Sequence, residues 1–178
     1  MNSSTTVETP AGPFTIVVGP SGAVRGAGFT SDVAAVLAVI HPSLRGPVRE
    51  HRELGGVTDA VRAYFDGELT AIDAVPVEQH ADGAFLSEAW RALRDIKAGA
   101  PVSYAAFAAR TGRPTAIRAA AAACARNAVA LFVPCHRVIR SDGSLGGYRW
   151  GLAAKRWLLD HEQRERALTS GPTEDRVV

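Results

Sequence analysis

The chain has 178 residues, of which 47% are hydrophobic and 21% charged, and its formal net charge is +2. No stretch approaches the roughly 20 apolar residues of a membrane helix, and residues 1–10 lack the basic and apolar regions of a secretory signal. These features exclude an integral membrane protein and predict a cytoplasmic one. Cys124 and Cys135, the only cysteines, are too few for a disulfide framework or a cysteine-based zinc site, so we expect free thiols, no metal and no cofactor.

The small net charge conceals an uneven distribution along the chain. Residues 1–80 carry five arginines against nine acidic residues, whereas residues 110–156 carry nine basic residues against the single acid Asp142. A basic, arginine-rich segment is typical of a surface that binds phosphates of a polyanion. The alternative is a solvated basic face without a partner.

The front of the chain has the pattern of a β-hairpin followed by a helix. Residues 14–18 and 23–29 are two apolar runs joined by a Gly/Pro turn. Asp32 then provides a good N-cap for a helix that stops before Pro42, because apolar residues recur at helical spacing behind it.

A second helix and a further strand complete the predicted α/β front domain, residues 1–80. The helix ends at Asp66-Gly67, and residues 72–77 alternate loosely and are predicted as a strand. The polar segment 78–84 is the best candidate linker. One face of the helix carries four apolar or aromatic residues: Val57, Val61, Tyr64 and Phe65.

The second half is predicted to be mostly helical and to contain a helix-turn-helix. Ser103 caps a short helix that runs to about Arg110, residues 111–114 turn the chain, and residues 115–126 form an alanine-rich helix. This spacing favours a helix laid in a DNA groove. The alternative is a helix pair that serves only for packing.

The residues with chemical potential follow that helix pair. Residues 131–133 are predicted as a buried strand leading into Pro134-Cys135-His136-Arg137-Val138. A thiol becomes a nucleophile when its proton is removed, and an imidazole oriented by a carboxylate is a recurrent way to remove it. Consecutive strand residues point to opposite sides, so Cys135 and His136 need a turn or a bridging water to act together. The alternative for Cys135 alone is a buried, inert cysteine.

This pentapeptide resembles the active-site motif of the O6-alkylguanine–DNA alkyltransferases. The resemblance extends without gaps from Ser103-Tyr104 to Leu158-Leu159-Asp160-His161-Glu162, and Tyr148-Arg149-Trp150-Gly151 is similar to the Ada-type bacterial members. Residues 9–13 and 64–69 resemble the family more faintly, so the resemblance covers the chain to about residue 162. It departs from the family at Ala128 and residues 97–102, which affects the expected rigidity of two loops.

The resemblance implies a two-domain fold and a role in DNA repair. A ribonuclease-H-like α/β domain would occupy residues 1–80, and a mostly α, winged-helix-like domain with the helix-turn-helix would occupy residues 81–165, before a flexible tail at 166–178. The implied function is the irreversible transfer of an alkyl group from O6-alkylguanine in double-stranded DNA to Cys135. Each molecule would act once, as a monomer or cooperatively along the DNA.

The family pattern implies a role for each site residue. Cys135 would be the nucleophile, His136 its base acting through water, and Glu162 the carboxylate that orients the imidazole. Tyr104 would donate a proton or hydrogen bond to the leaving guanine, and Asn127 would brace the site. The pocket would be completed by Val138, Tyr148 and Arg149.

Arg118 would enter the duplex through the minor groove and occupy the space left by the flipped base, since the alkyl carbon cannot be reached inside the stack. The alternative for Arg118 is a phosphate contact or a solvent-facing side chain. Further DNA contacts are expected from Ser103, Thr115, Ala119, Ala122 and Arg126.

Simpler interpretations exist for three of these residues and for the function. Tyr104 could be a core aromatic, Asn127 a helix C-cap, and Glu162 a surface acid at a helix end. A lesion-binding relative that does not repair lacks the reactive cysteine, and a regulator would need a sensor domain with metal-binding cysteines. A cysteine hydrolase would need an oxyanion hole, whereas here a DNA-binding helix pair precedes the thiol.

Overall fold

Four strands of the front half form a mixed sheet in the order β3-β2-β1-β4. The structure is a computed structural model and describes residues 1–171. Antiparallel pairing joins β1 (Asn2–Thr9) to β2 (Gly12–Val18) and β2 to β3 (Val24–Gly28), whereas β4 (Val48–Glu50) lies parallel to β1. The predicted strand pair is confirmed as β2 and β3. β1 carries no apolar alternation that would predict a strand, because its residues are mostly Ser, Thr and Asn.

One helix packs on this sheet, and a second helix follows it in the chain. The first, α1 (Val33–Val39), begins where Asp32 Oδ1 accepts the backbone N–H of Ala34 at 3.0 Å, so the predicted N-cap is confirmed. Its apolar side packs on the sheet, where a buried cluster forms from Val17, Val36 and Ile40. A 3-10 turn (Pro42–Leu44) and β4 lead to α2 (Gly56–Phe65).

The second half holds the predicted helix-turn-helix between two longer helices. After α3 (Ala84–Arg94), β5 (Val102–Ser103) leads into α4 (Tyr104–Arg110) and α5 (Ile117–Ala125). A 3-10 turn (Cys135–Arg137) then leads into β6 (Val138–Ile139), which pairs with β5 in parallel, and α6 (Leu152–Ser170) closes the described chain. Ser103 Oγ accepts the N–H of Ala106 at 3.0 Å, which confirms the predicted cap of α4. Within residues 1–171, no helix has the length and apolar character needed to cross a bilayer.

Two predicted strands are wrong. Residues 72–77 form turns, and their sole ladder contact is an isolated bridge between Val77 and Val24. Residues 131–133 also form a turn, in which Leu131 has a φ of +70°. The buried ladder contact falls earlier, between Val129 and Ala27, so the apolar run is a buried loop packed on the sheet.

The predicted tail at 166–178 is wrong for its first residues, because α6 continues to Ser170. Arg166 Nη1 donates to the carbonyl of Gly99 at 2.8 Å, and the Thr169 hydroxyl donates to the carbonyl of Glu165 at 2.7 Å. The polar end of α6 is therefore bonded both to the loop at Gly99 and to its own preceding turn. Residues 172–178 lie outside the described residues.

One hydrophobic core joins the two halves. It contains Phe14 and Tyr64 from the front half together with Phe132 and Leu158 from the second. Trp150 packs so closely on Gly28 of β3 that a Cβ at Gly28 would lie 2.3 Å from its ring. The front sheet therefore supports the segment that follows the Cys135 turn.

Candidate active site

Cys135 begins the 3-10 turn that follows the buried loop after α5. It is buried, with 9% of the residue exposed. The backbone N–H of Cys135 donates to the carbonyl of Val133 at 2.8 Å, and Sγ accepts from Nδ2 of Asn127 at 3.3 Å. These two bonds hold the thiol in a defined position.

Asn127 links the end of α5 to the loop that carries the thiol. Its Nδ2 also donates to the carbonyl of Val133 at 2.8 Å, and its Oδ1 accepts from the N–H of Val129 at 3.1 Å and from Gln79 Nε2 at 3.1 Å. The buried amide thereby satisfies polar groups of the loop that water cannot reach. Arg126 occupies the C-cap position of α5, so the C-cap interpretation of Asn127 is wrong.

His136 and Glu162 form a buried pair. Nε2 of His136 lies 2.7 Å from Oε1 of Glu162, and both side chains are fully buried. Nδ1 of His136 is buried too and has no hydrogen-bond partner among residues 1–171. Cys135 and His136 are consecutive residues of a 3-10 turn, so their side chains do not alternate between opposite sides as they would in a strand.

Two further side chains bind Glu162. The Tyr64 hydroxyl donates to Oε1 at 2.8 Å, and Arg137 donates through Nε to Oε2 at 3.1 Å and through Nη2 to Oε1 at 2.9 Å. Nη1 of Arg137 donates to the carbonyl of Ile96 at 2.7 Å. A buried charge is tolerated when it is paired and hydrogen-bonded in this way.

The ionisation of the pair follows from burial and from these partners. Burial lowers the pKa of His136, although Glu162 opposes the shift. Burial alone would raise the pKa of Glu162, but the charges and hydrogen bonds of His136 and Arg137 bring it well below its usual range. At neutral pH the pair is therefore an ionised carboxylate beside a neutral imidazole. Such an imidazole can accept a proton, and the carboxylate stabilises the imidazolium that results.

The other titratable groups of the site are protonated at rest. Burial raises the pKa of Cys135, although the hydrogen bond from Asn127 opposes it. Burial also raises the pKa of Cys124 and of Tyr104. The thiol of Cys135 consequently needs a base before it can attack, and the phenol of Tyr104 keeps a proton that it can donate.

Lys155 is a buried cation on α6. Nζ donates to the carbonyls of Val138 at 2.8 Å, Leu145 at 2.5 Å and Gly147 at 3.2 Å. Burial lowers the pKa of Lys155. Its three hydrogen bonds tie α6 to the segment between β6 and Tyr148.

A cavity of about 520 Å³ adjoins the thiol. Its volume falls in the usual range of roughly 300–1,000 Å³ for small-molecule sites. Among residues 1–171, the side chains that line it do not include Val138. The carbonyl of Val138 accepts a hydrogen bond from Nζ of Lys155. The expected site residues that do line it are Tyr104, Asn127, Cys135, Tyr148 and Arg149.

One face of α5 is exposed and rich in alanine. Ala119 and Ala122 are exposed, whereas Ala120 and Ala123 are buried against the fold. Arg118 is exposed in the first turn of the helix. A backbone with such small side chains can approach another surface closely, and it carries one long cation.

The remaining expected contact residues lie around the same helix pair. Thr115 and Arg126 are exposed on either side of α5. Ser103 is half-buried and uses its hydroxyl as the cap of α4. The α5 residues Ala121 and Ala125 line the cavity, so the helix borders it directly.

Comparison with known proteins identifies the family of this chain. Residues 84–164 match the family described as 6-O-methylguanine DNA methyltransferase, DNA binding domain. A methylated-DNA–protein-cysteine methyltransferase of Shigella flexneri is 37% identical over 161 residues, which are 88% of this chain and 92% of that protein. The chain belongs to this family.

Two further members show which parts are shared. The bifunctional transcriptional activator/DNA repair enzyme Ada of Escherichia coli is 52% identical over 79 residues, which are 44% of this chain and 22% of Ada. A crystal structure of Mycobacterium tuberculosis OGT in complex with DNA matches with a TM-score of 0.77 and 31% identity, over 92% of this chain and 94% of that one. The family resemblance of the sequence is confirmed, and the small mixed sheet with helices is the fold of the OGT structure.

In this member of the methyltransferase family, the structure adds three residues to those expected from the sequence. Tyr64 and Arg137 bind Glu162, and Lys155 holds the segment after β6. Tyr64 and Arg137 lie within stretches that resemble the family, which is the signal that could have found them. Lys155 gave no signal beyond its positive charge.

Proposed function

We propose that this protein repairs alkylated DNA by direct reversal and takes the alkyl group of O6-alkylguanine onto Cys135. The bond between the alkyl carbon and O6 breaks, a bond between that carbon and Sγ forms, and the thiol proton is passed on so that guanine leaves in its neutral form. The observation that carries the proposal is the buried thiol at a cavity of about 520 Å³, in the same 3-10 turn as the paired His136.

His136 acts as the base that removes the thiol proton, through a bridging water at Nδ1. Support comes from the pairing of Nε2 with Glu162, which leaves the buried Nδ1 without a protein partner in residues 1–171. The ionised Glu162, held by Arg137 and Tyr64, stabilises the imidazolium as it forms. General-base catalysis of this kind contributes roughly 10²- to 10⁴-fold.

Tyr104 assists the departure of the guanine. Its phenol borders the cavity and keeps its proton, so it can donate a hydrogen bond to the base as negative charge develops. Tyr148 and Arg149 provide further walls, and Asn127 keeps the thiol oriented. The part proposed for Val138 is limited to its backbone, which pairs with β5 and accepts from Lys155.

The alkylated base reaches this cavity by leaving the duplex. Arg118 enters from the minor groove and fills the space of the flipped base, while the alanine-rich face of α5 follows the groove closely. The exposed position of Arg118 and the cavity at Ala121 and Ala125 support this path. Neighbouring DNA contacts are proposed for Ser103, Thr115, Ala119, Ala122 and Arg126.

Each molecule acts once, because the thioether formed on Cys135 is chemically stable. A lesion binder that does not repair is disfavoured by the presence of Cys135 and its hydrogen bond from Asn127.

The proposal also includes the fold of each domain. A ribonuclease-H-like front domain at 1–80 is supported by the β3-β2-β1-β4 order. A winged-helix-like domain at 81–165 is supported by α4, α5 and the β5-β6 pair. Monomeric action and a cytoplasmic location remain predictions from the sequence.

The test is restoration of guanine in a duplex that carries one O6-methylguanine. Wild-type protein should restore one guanine for each protein molecule and then stop, whereas Cys135→Ser should bind the same duplex and restore none. Continued restoration beyond one equivalent would indicate a turnover enzyme. Tight lesion binding by the wild type without any restoration would establish the non-repairing binder instead.

A further inference from the structure

A second cavity lies beside the one that adjoins Cys135. Its volume is about 460 Å³, and residues of the front half, of the segment 78–84 and of the second half all line it. Arg149 lines both cavities. The side chains of the second cavity are rich in nitrogen donors, which belong to four arginines and two histidines: Arg25, Arg45, Arg126, Arg149, His41 and His80.

The positive charges of this cavity are only partly balanced by acids. Among residues 1–171, Asp82 is the one carboxylate in its lining. Arg25 is matched by Glu78, whose Oε2 lies 2.7 Å from Arg25 Nε. Two acids therefore face four arginines, and two positive charges stay uncompensated. A concave surface that gathers charges of one sign attracts ions of the opposite sign, so the cavity favours an anion.

Two of the guanidinium groups are held in place by neutral acceptors. Arg45 donates from Nη2 to the carbonyl of Ala38 at 2.7 Å and from Nε to the carbonyl of Ile40 at 2.8 Å. Arg149 donates from Nη2 to the carbonyl of Ala125 at 2.8 Å. A guanidinium has five N–H donors, so each of these groups keeps others for a ligand. Because both are already ordered, binding an anion costs them little conformational freedom.

Arg126 and His41 supply further donors. Arg126 is exposed at the C-cap of α5, and its side chain has no hydrogen-bond partner among residues 1–171. Nδ1 of His41 accepts the backbone N–H of Ser43 at 3.2 Å, so the ring proton is on Nε2. Both side chains can therefore donate to an oxyanion.

We propose that this second cavity binds a phosphate group, supplied by the backbone of a DNA strand or by a small phosphate ester. Arginine suits this ligand because paired N–H donors match the spacing of phosphate oxygens. Since Arg149 lines both cavities, a nucleotide whose base lies beside Cys135 has its strand near the second cavity. The DNA source rests on the proposed function, whereas the small ester does not.

The test is titration of the full-length protein with pyrophosphate, followed by calorimetry at low salt. The wild type should bind one pyrophosphate per chain, with an affinity that falls as salt is added because salt screens the charges. Arg126→Ala should weaken binding by about tenfold, since a charge-assisted hydrogen bond is lost. Asp82→Asn should strengthen binding by about threefold, because it removes the carboxylate that repels the anion.

A control variant and a second titration make the result specific. Arg110→Ala removes an exposed arginine outside the cavity and should bind pyrophosphate as the wild type does. In a titration with undamaged duplex DNA, Asp82→Asn should tighten binding and pyrophosphate should compete if the DNA backbone is the source. If pyrophosphate binds as stated but neither effect occurs, a small phosphate ester is the source.

The proposal is overturned if pyrophosphate shows no saturable binding. It is also overturned if the affinity for pyrophosphate is the same in the wild type, Arg126→Ala and Asp82→Asn. The pyrophosphate titration involves no alkyl transfer, so its failure is distinguishable from a failure of the proposed repair activity.

Discussion

The hydroxyl of Tyr64 donates a 2.8 Å hydrogen bond to Oε1 of Glu162, the same oxygen that lies 2.7 Å from His136 Nε2. The two residues are 98 positions apart in the chain and belong to α2 and α6. The front half thus contributes directly to the ionised carboxylate on which the proposed base depends.

Tyr64→Phe should lower the free energy of unfolding by about 2 kcal/mol, because a buried hydrogen bond to a charged group is lost. Urea denaturation measures the change. Tyr148→Phe is the matched control, since the buried Tyr148 hydroxyl has no hydrogen-bond partner among residues 1–171 and its loss should cost little. Equal losses in both variants would contradict the importance of the Tyr64 bond.

Acid should destabilise the protein, beginning near neutral pH. The pKa of His136 is lower in the folded protein than its ordinary 6.5, so the unfolded chain takes up this proton first and stability falls as the pH drops below about 6.5. Glu162 has a lowered pKa, so its contribution is complete above its ordinary 4.5 and is lost at more acidic pH. Both groups therefore act in the same direction.

Urea denaturation at pH 8 to 5 measures this dependence. Stability should fall by up to about 1.4 kcal/mol per pH unit in the range where only the unfolded state binds the His136 proton. His136→Gln should flatten the profile between pH 6.5 and 5. A wild-type profile that rises towards acid pH in this range would refute the neutral, buried imidazole.

Gly146→Ala should slow alkyl transfer by about tenfold, because it displaces the proposed acid from its position. Gly146 has a φ of +72°, and a Cβ there would lie 2.8 Å from the hydroxyl of Tyr104. Gly143→Ala introduces the same kind of backbone strain at a φ of +85°, but its Cβ meets nothing within 4 Å. Single-turnover rates on duplex and on free O6-benzylguanine should fall in the first variant and stay near wild type in the second.

Arg118→Ala should slow repair of duplex DNA by about tenfold or more, while its reaction with free O6-benzylguanine changes little. The reason is that Arg118 stabilises the flipped state and takes no part in the transfer itself. Arg110→Ala removes an exposed arginine of α4 and should cost less on the duplex. Equal losses on duplex and free base would show that Arg118 acts in the cavity.

The sequence predicted the parts of the fold that depend on local signals, and it failed where burial decides. Asp32 and Ser103 were found as caps because a short polar residue before an apolar periodic run has a direct local role. A short apolar run such as residues 131–133 has the same pattern in a strand and in a buried loop, so the sequence predicts a strand where the structure has a loop. The polar composition of residues 166–170 predicts a tail, because nothing in it indicates the hydrogen bond from Arg166 to Gly99.

The site residues inside the stretch that resembles the family could be predicted from the sequence. Contacts made by residues far apart in the chain could not. The pairing of His136 with Glu162 was expected from the family resemblance, and the structure places them 2.7 Å apart. Tyr64 looked like one more aromatic on an amphipathic helix, because periodicity cannot distinguish a core tyrosine from one that binds a carboxylate. A lysine is rarely buried, so the sequence alone predicts an exposed Lys155. Its burial depends on three carbonyl acceptors that only the structure shows.

The most direct test of the central claim is intact-protein mass spectrometry after incubation with an O6-methylguanine duplex, followed by peptide mapping. The account predicts a gain of one methyl group per chain, located on Cys135, absent in Cys135→Ser and retained in Cys124→Ser. A methyl group located on Cys124, or no gain in mass although the duplex is bound, would contradict it.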